Sequence, residues 1–308
     1  MDYRMKKIRL YYWNEKKNFG DCLAPQLVEE LSGIPIQYEK PIEPLNLTDS
    51  IWYLASILLK GKYHRWERLI APYRTIILSV GSILQFSNQR CKVWGAGYMN
   101  YYERPIRGKI YALRGKETKR KLMEQGMKLG NVPLGDPALL LPLWIKPKTQ
   151  SQYDLGIVPH WRETDFFLDL IKSKDLKKIR LIDLRTDDIQ KVVDEINSCK
   201  YILSTSLHGI IVAHAYNIPA LWIKHGYIDT DGFKFKDYFS SVGIDYYDGF
   251  DSINDIITST ESYQSLFTKH RNKSNINIPL QQIQINLLKS APFPLKKYYK
   301  ELLSSHKY

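Results

Sequence analysis

The segment "STSLHGIIVAHAYNIPALW" (204–222) sets Ser204, Thr205 and Ser206 directly before Leu207, His208 and Gly209, and then runs on through small and apolar residues. That order reads as the end of a strand followed by the start of a buried helix. The free N–H groups at a helix start, with the helix dipole behind them, attract an anion. An imidazole there, His208, can hold or pass a proton. The plain alternative is a capping or packing histidine. His214 falls on a different face of the same helix, so the two do not make a metal pair.

Other stretches carry chemistry at strand ends. "YALRGKET" (111–118) places Arg114 after a strand and Glu117 three residues on. A guanidinium there can grip a carboxylate or phosphate in a fork; a structural Arg114–Glu117 pair is the alternative, and Glu117 also suits a first helical turn. "NFGDCLAP" (18–25) puts Asn18, Gly20 and Asp21 in a turn-like cluster before an amphipathic helix. Asp21 is there either as an N-cap or as a reacting carboxylate. "VPHWRE" (158–163) brings His160 and Arg162 to a strand end, against the alternative of a solvent-facing loop. "GSIL" (81–84), with Gly81 and Ser82, and "WGAGY" (94–98) supply glycine turns where backbone can approach a ligand. The dinucleotide fingerprint is incomplete because position 100 is Asn, and P-loop and H-E-x-x-H patterns are absent, so no nicotinamide cofactor and no metal are expected. "GFKFKDYFSSVG" (232–243) reads as a Gly- and aromatic-rich loop whose Lys234 and Lys236 either receive phosphate or are simply solvated.

The elements that must position these residues alternate along the chain. "KIRLYYW" (7–13), "TIILSV" (75–80), "CKVWG" (91–95) and "KIYALRG" (109–115) read as strands. "APQLVEELSG" (24–33) and "KETKRKLMEQG" (116–126) read as helices stopped by Gly33 and Gly126. After the polar, Pro-containing "LWIKPKTQSQ" (143–152) a second strand–helix series begins with "YDLGIVP" and closes with "PALWI". The expectation is an α/β protein of two Rossmann-like domains facing a cleft, residues 1–148 and 149–308, with a helical, basic C-terminal tail.

Composition is that of an ordinary globular protein: of 308 residues 44% are hydrophobic and 25% charged, enough for one or two cores. The formal charge of +13 favours anionic partners: phosphorylated substrates, nucleic acid or an acidic membrane surface. No recognised nucleic-acid motif accompanies it, and no nucleic-acid partner is expected. Cys22, Cys91 and Cys199 are too scattered for a disulfide framework or zinc site, and a reducing cytoplasm fits. The N-terminus lacks the apolar core of a signal peptide, and "SIWYLASILLKG" is too short to span a bilayer. Basic residues interleave with aromatics at 59–74 and 294–308, where they could lie on an anionic membrane or form ordinary charged helix faces.

In this order, "NFGDCLAP", "GSIL", "WGAGY", "LRGKET" with "LGDPALLLP", "GIVPHW" and "STSLHGIIVAHAYNIPAL" resemble the polysaccharide pyruvyl transferase family, most closely its exopolysaccharide ketal branch, over about residues 8–245. The resemblance implies a glycosyltransferase-like (GT-B) fold. It implies an enzyme that moves the pyruvyl group of phosphoenolpyruvate onto two hydroxyls of one sugar in a polysaccharide or lipid-linked oligosaccharide. A cyclic ketal forms and phosphate leaves, with no cofactor. On that footing Arg114, Ser206, Leu207, His208, Gly209, His160 and Lys236 fall to the donor. Asn18, Asp21, Gly81 and Ser82 fall to the acceptor. His208 suits the acid that protonates the enol carbon, and Asp21 or Glu117 the base that takes a hydroxyl proton. Some relatives carry Arg where Ser206 stands, so Lys234, Lys236 or Arg162 would replace it; the acid at Glu117 is often Asp in the family. The expected location is cytoplasmic, with peripheral contact at the inner membrane face. The alternative is a GT-B glycosyltransferase using a nucleotide sugar; a non-enzymatic anion binder rests on charge alone.

Overall fold

The computed structural model describes residues 7–15, 17–60, 66–104, 106–173, 177–226, 230–251, 253–257 and 259–305. Within them the short apolar runs form two parallel sheets. The first holds β1 (Ile8–Tyr11), β2 (Ile36–Tyr38), β3 (Ile76–Leu78), β4 (Cys91–Trp94) and β5 (Lys109–Ala112) in the order β2-β1-β3-β4-β5. The second holds β6 (Tyr153–Val158), β7 (Ile179–Leu181), β8 (Cys199–Ser204) and β9 (Ala220–Trp222) in the order β7-β6-β8-β9. Every pairing is parallel, which explains why the inner strands read as continuous apolar runs rather than alternating ones. The expected pair of Rossmann-like units is therefore present.

In each sheet the first strand has neighbours on both sides: β1 pairs with β2 and β3, and β6 with β7 and β8. The chain turns to one edge and then to the other, leaving a crevice at the carboxyl ends of β1/β3 and of β6/β8, where open α/β sheets place ligands. In the second sheet the last register pair is Val158 with Ser204, so the loops bearing His160 and Ser206 leave it side by side.

Helices of nine residues or more among the described residues are α1 (Phe19–Ser32), α2 (Leu47–Lys60), α3 (Lys116–Glu124), α4 (Thr164–Ser173), α5 (Ile189–Asn197), α6 (Leu207–Ala215), α7 (Phe233–Ser241), α8 (Thr260–Lys269), α9 (Leu280–Lys289) and α10 (Lys297–Ser305). α1 begins earlier than its apolar pattern suggests: Phe19, Gly20 and Asp21 are already helical, and Asn18 occupies the N-cap position. Its end is as expected, with Gly33 in the left-handed region (φ 70°) and its N–H on the Glu29 carbonyl at 2.8 Å. The stretch 232–243 is not a loop. It is α7, buried almost all round: Phe235, Tyr238 and Phe239 join the main core and Phe233 a second cluster, so Lys234 and Asp237 are buried with them.

The two sheets share a continuous core. α1 bridges them: the Phe19 N–H donates to the Leu184 carbonyl after β7 (2.8 Å), and Gln26 donates to the Asp187 carbonyl. The C-terminal helices return to the first sheet, where Trp94 Nε1–H donates to the Leu287 carbonyl (3.0 Å) and the Tyr299 hydroxyl to Glu30 (2.9 Å). The basic–aromatic stretch at 294–308 is thus anchored within its described part: Lys296 pairs with Glu30 at 2.9 Å and Tyr299 is buried. Residues 306–308, like 61–65 of the other basic stretch, lie outside the described residues.

Candidate functional site

α6 starts one residue beyond the crevice of the second sheet. Ser206 is its N-cap by backbone geometry (φ −100°, ψ 130°), but its hydroxyl does not cap. The turn is held from below instead: the Ser204 hydroxyl accepts from the Ser206 N–H at 3.0 Å and lies 2.7 Å from the Val158 carbonyl. Leu207 is buried, and Gly209 packs against Ser204 and Val158, so of this group His208 is the side chain left to face the other half of the protein.

It does so at Gly20. A Cβ built on Gly20 would lie 2.2 Å from His208 Nδ1, so the imidazole occupies the space a side chain would need. The glycine of "NFGD" therefore serves close approach between α1 of the first half and α6 of the second. His208 Nε2 is buried with no hydrogen-bond partner among the described residues. Burial, then the nearby charges of Lys234, Arg114 and His160, push the imidazole down to about 3. It is neutral at physiological pH in the absence of an anion: the cations that would attract an anion here also disfavour its proton.

Asp21 lies in the first turn of α1, one residue past that contact. Asn18 Nδ2 donates to its Oδ2 at 2.8 Å, so the N-cap residue serves the carboxylate rather than the reverse. Burial raises Asp21 to about 6, with Asn18 pulling the other way. A folded value above the ordinary 3.8 means its contribution to stability is present at low pH and lost as pH rises through about 6. Asp21→Asn is expected to raise thermal stability at neutral pH, by roughly 1–3 kcal/mol, while abolishing any activity limb near pH 6. A carboxylate that only supports the helix would instead lose stability on substitution, and paired melting and pH–rate curves separate the two.

A second buried acid was quoted in the sequence but given no role. Glu163 accepts from the Thr205 hydroxyl at 2.5 Å, and Thr205 Oγ1 accepts the His160 backbone N–H at 2.7 Å. Burial raises the Glu163 carboxyl, and the charge of Lys234 opposes this. The loops after β6 and β8 and the start of α7 are thereby joined around His208. Lys234, for which the sequence leaves open phosphate contact or solvation, is buried here. Of the replacements for an arginine at Ser206, Lys234 faces this group, whereas Arg162 lies over its own neighbour Trp161 (5.0 Å).

Arg114 belongs to a different device. It is fully buried, with Nε on Asp237 Oδ2 at 2.9 Å, Nη1 on the Ser82 hydroxyl at 2.7 Å and Nη2 on the Tyr98 carbonyl. Asp237 also accepts from Thr118 N–H and Oγ1–H, each at 2.7 Å. Burial raises the Asp237 carboxyl, and Arg114 and Thr118 draw it back. A Cβ on Gly97 would sit 2.6 Å from the guanidinium, and one on Gly115 would sit 1.7 Å from the Asp237 carbonyl oxygen. Gly97 and Gly115 make room for a buried inter-half ion pair, and the Ser82 hydroxyl completes it. Arg114 and Ser82, expected on the donor and acceptor sides, thus have their polar side-chain groups engaged with one another and with Asp237 in this structure. Glu117 is also placed elsewhere. It pairs with Arg120 (2.6 Å), with Lys236 of α7 at 3.8 Å, and not with Arg114. Lys236 is 42% exposed there, away from the buried acids around His208. His214 is structural, between the Tyr238 hydroxyl (3.0 Å) and the Ser274 carbonyl (3.2 Å).

The motif-bearing segments thus converge from both halves on one seam, and the same span is what a family model matches: polysaccharide pyruvyl transferase, residues 18–227. The chain belongs to the polysaccharide pyruvyl transferase family. A curated relative, an uncharacterized protein of Acanthamoeba polyphaga mimivirus, is 33% identical over 172 residues, 54% of this chain. The matched region spans 60% of that relative's length. Among solved structures, an S. aureus MnaA–UDP co-structure aligns over 98% of this chain and 96% of its own, at 13% identity and a TM-score of 0.49. No helix among the described residues is long and apolar enough to cross a membrane.

Proposed function

We propose that this protein transfers the pyruvyl group of phosphoenolpyruvate to two hydroxyls of a sugar unit, in a polysaccharide or lipid-linked oligosaccharide. The product is a cyclic pyruvate ketal, and inorganic phosphate is released. The observation that carries the proposal, beyond family membership, is the group around His208: a helix start, a buried lysine and two histidines brought together at the strand ends, with the imidazole packed against Gly20. A small ligand bearing both carboxylate and phosphate is the kind of anion such a pocket attracts.

Donor binding and acid catalysis are then coupled. Lifting His208 from about 3 to neutrality takes around 4 units, about 5–6 kcal/mol. An anion in direct contact, in a pocket closed to water, is the group able to supply it. The imidazolium then gives its proton to C3 of the enol, C2 becomes electrophilic, and the first hydroxyl forms a C–O bond to C2 as Asp21 accepts its proton. The second hydroxyl attacks the same carbon, the C2–O bond to phosphate breaks, and the second hydroxyl proton leaves with the departing phosphate or through Asp21. Holding both hydroxyls of one sugar beside C2 makes the second attack intramolecular and removes most of its entropic cost. Asp21 is preferred to Glu117 as base, because Glu117 is paired with Arg120 and faces Lys236, whereas Asp21 is one residue from the Gly20–His208 contact.

The test is release of phosphate from phosphoenolpyruvate in the presence of galactose- or mannose-type acceptors. Acceptor-dependent release, with no turnover of nucleotide sugars, supports the proposal. Stabilisation of the fold by a nucleotide sugar, with phosphoenolpyruvate inert, would replace it with a glycosyltransferase.

A further inference from the structure

α2 is amphipathic in the unusual sense. Its apolar side chains are found on its exposed arc as well as its inner one: Leu47 is 79% exposed, Trp52 73% and Leu59 86%, with Ile51 and Leu58 also open. At 100° per residue, Leu47, Leu58, Ile51, Ala55, Leu59 and Trp52 fall on one arc, interrupted only by Thr48. Asp49, the one acid of the helix, lies outside that arc. Ile57, on the opposite side, is fully buried and seats the helix on the protein. Trp66, Ile70 and Tyr73 further along the chain are also open, at 37%, 51% and 58% exposed. A monomeric surface rarely leaves so many large apolar side chains side by side.

The sequence that follows indicates what covers this face. In the sequence, residues 60–68 carry Lys60, Lys62, Arg65 and Arg68 against the single acid Glu67, while Arg74 further on is committed to Glu39 (3.3 Å) and Glu67 (2.6 Å). A helix of 14 residues is about 21 Å long, too short to span a hydrocarbon core of about 30 Å. Leucine and tryptophan on the outward face, with a run of cations at the end, is the pattern of a helix lying in the plane of an anionic bilayer.

We propose that α2 is a membrane-docking helix, inserting Leu47, Ile51, Trp52, Leu58 and Leu59 at the surface of an anionic bilayer. The inference stands on this face alone and does not use the reaction proposed above.

Co-sedimentation of the full chain with vesicles tests it. The protein is expected to bind phosphatidylcholine vesicles containing about 30% phosphatidylglycerol, to bind pure phosphatidylcholine far less, and to dissociate as salt is raised. Trp52→Glu/Leu59→Glu should weaken partition by about tenfold or more with an unchanged melting temperature, since both side chains are mostly in solvent. Should that pair disturb folding, Trp52→Ser alone is expected to weaken binding in the same direction. Absence of binding to the anionic vesicles, or equal binding by the substituted proteins, overturns the proposal. So does a wild-type dimer that Trp52→Glu/Leu59→Glu converts to monomer while neither binds vesicles, which would assign the face to a second copy of this chain.

Discussion

Replacing His208 by alanine is expected to lower turnover by about 100-fold or more, the scale set by losing a general acid. The fold should survive, because the imidazole is neutral, its Nε2 makes no hydrogen bond among the described residues, and its removal relieves the contact with Gly20. Gly20→Ala approaches the same defect from the other side. Its methyl would lie 2.2 Å from Nδ1, so the ring must swing out of place or the two halves must part. A large loss of turnover in both variants, measured as acceptor-dependent phosphate release, ties activity to the α1–α6 contact. Near-wild-type rates in His208→Ala would remove this histidine from the mechanism.

Arg114→Ala is expected to act on stability rather than on the donor. It leaves Asp237 buried without its ion partner, a defect of about 3–5 kcal/mol, and a fall in melting temperature of roughly 5–15 °C for a chain of this size. Asp237→Ala should cost a similar amount for the mirror reason. Together, Arg114→Met and Asp237→Leu should recover much of the loss, because two apolar side chains leave no uncompensated charge. If Arg114→Ala instead melts like wild type and raises the Michaelis constant for phosphoenolpyruvate, the guanidinium holds the donor and the structural role is wrong.

The contrast between these residues marks what can be read from sequence here. His208 was legible because its cues are local: a strand end, a helix start and a run of small apolar residues stand within a few positions. The parallel sheets were legible for the same reason, since buried strands and the helices between them differ in period and length. The partner of Arg114 was not legible, because it is not the nearby Glu117 but Asp237, more than a hundred residues away, and no spacing rule connects a strand end in one half with a helix in the other. Asp237 was hidden in turn because α7 opens on Gly232 with positive φ and is dense in aromatics, which reads as a loop until tertiary packing buries them. Glu163 was passed over beside His160 because its significance comes from Thr205 and Lys234, both supplied by other elements. Gly20 looked like a turn residue, whereas its lack of a side chain is what admits the imidazole.

These placements also separate two jobs that the motifs had merged. The Arg114–Asp237 pair locks one corner of the seam, with Thr118, Ser82 and the flanking glycines built around it. The His208 pocket beside it keeps a buried lysine, a neutral imidazole and acids raised by burial, a set of groups whose protonation a bound anion would reorganise. Strained electrostatics of this kind reduces stability and is usually found where chemistry is done.

The central claim is that the donor anion itself charges His208. Calorimetric titration with phosphoenolpyruvate at about pH 7.5, in buffers of differing ionisation enthalpy, tests it most directly. The account predicts uptake of about one proton per donor bound, lost in His208→Asn. Binding without proton uptake, uptake that persists in His208→Asn, or no binding of phosphoenolpyruvate at all would contradict it.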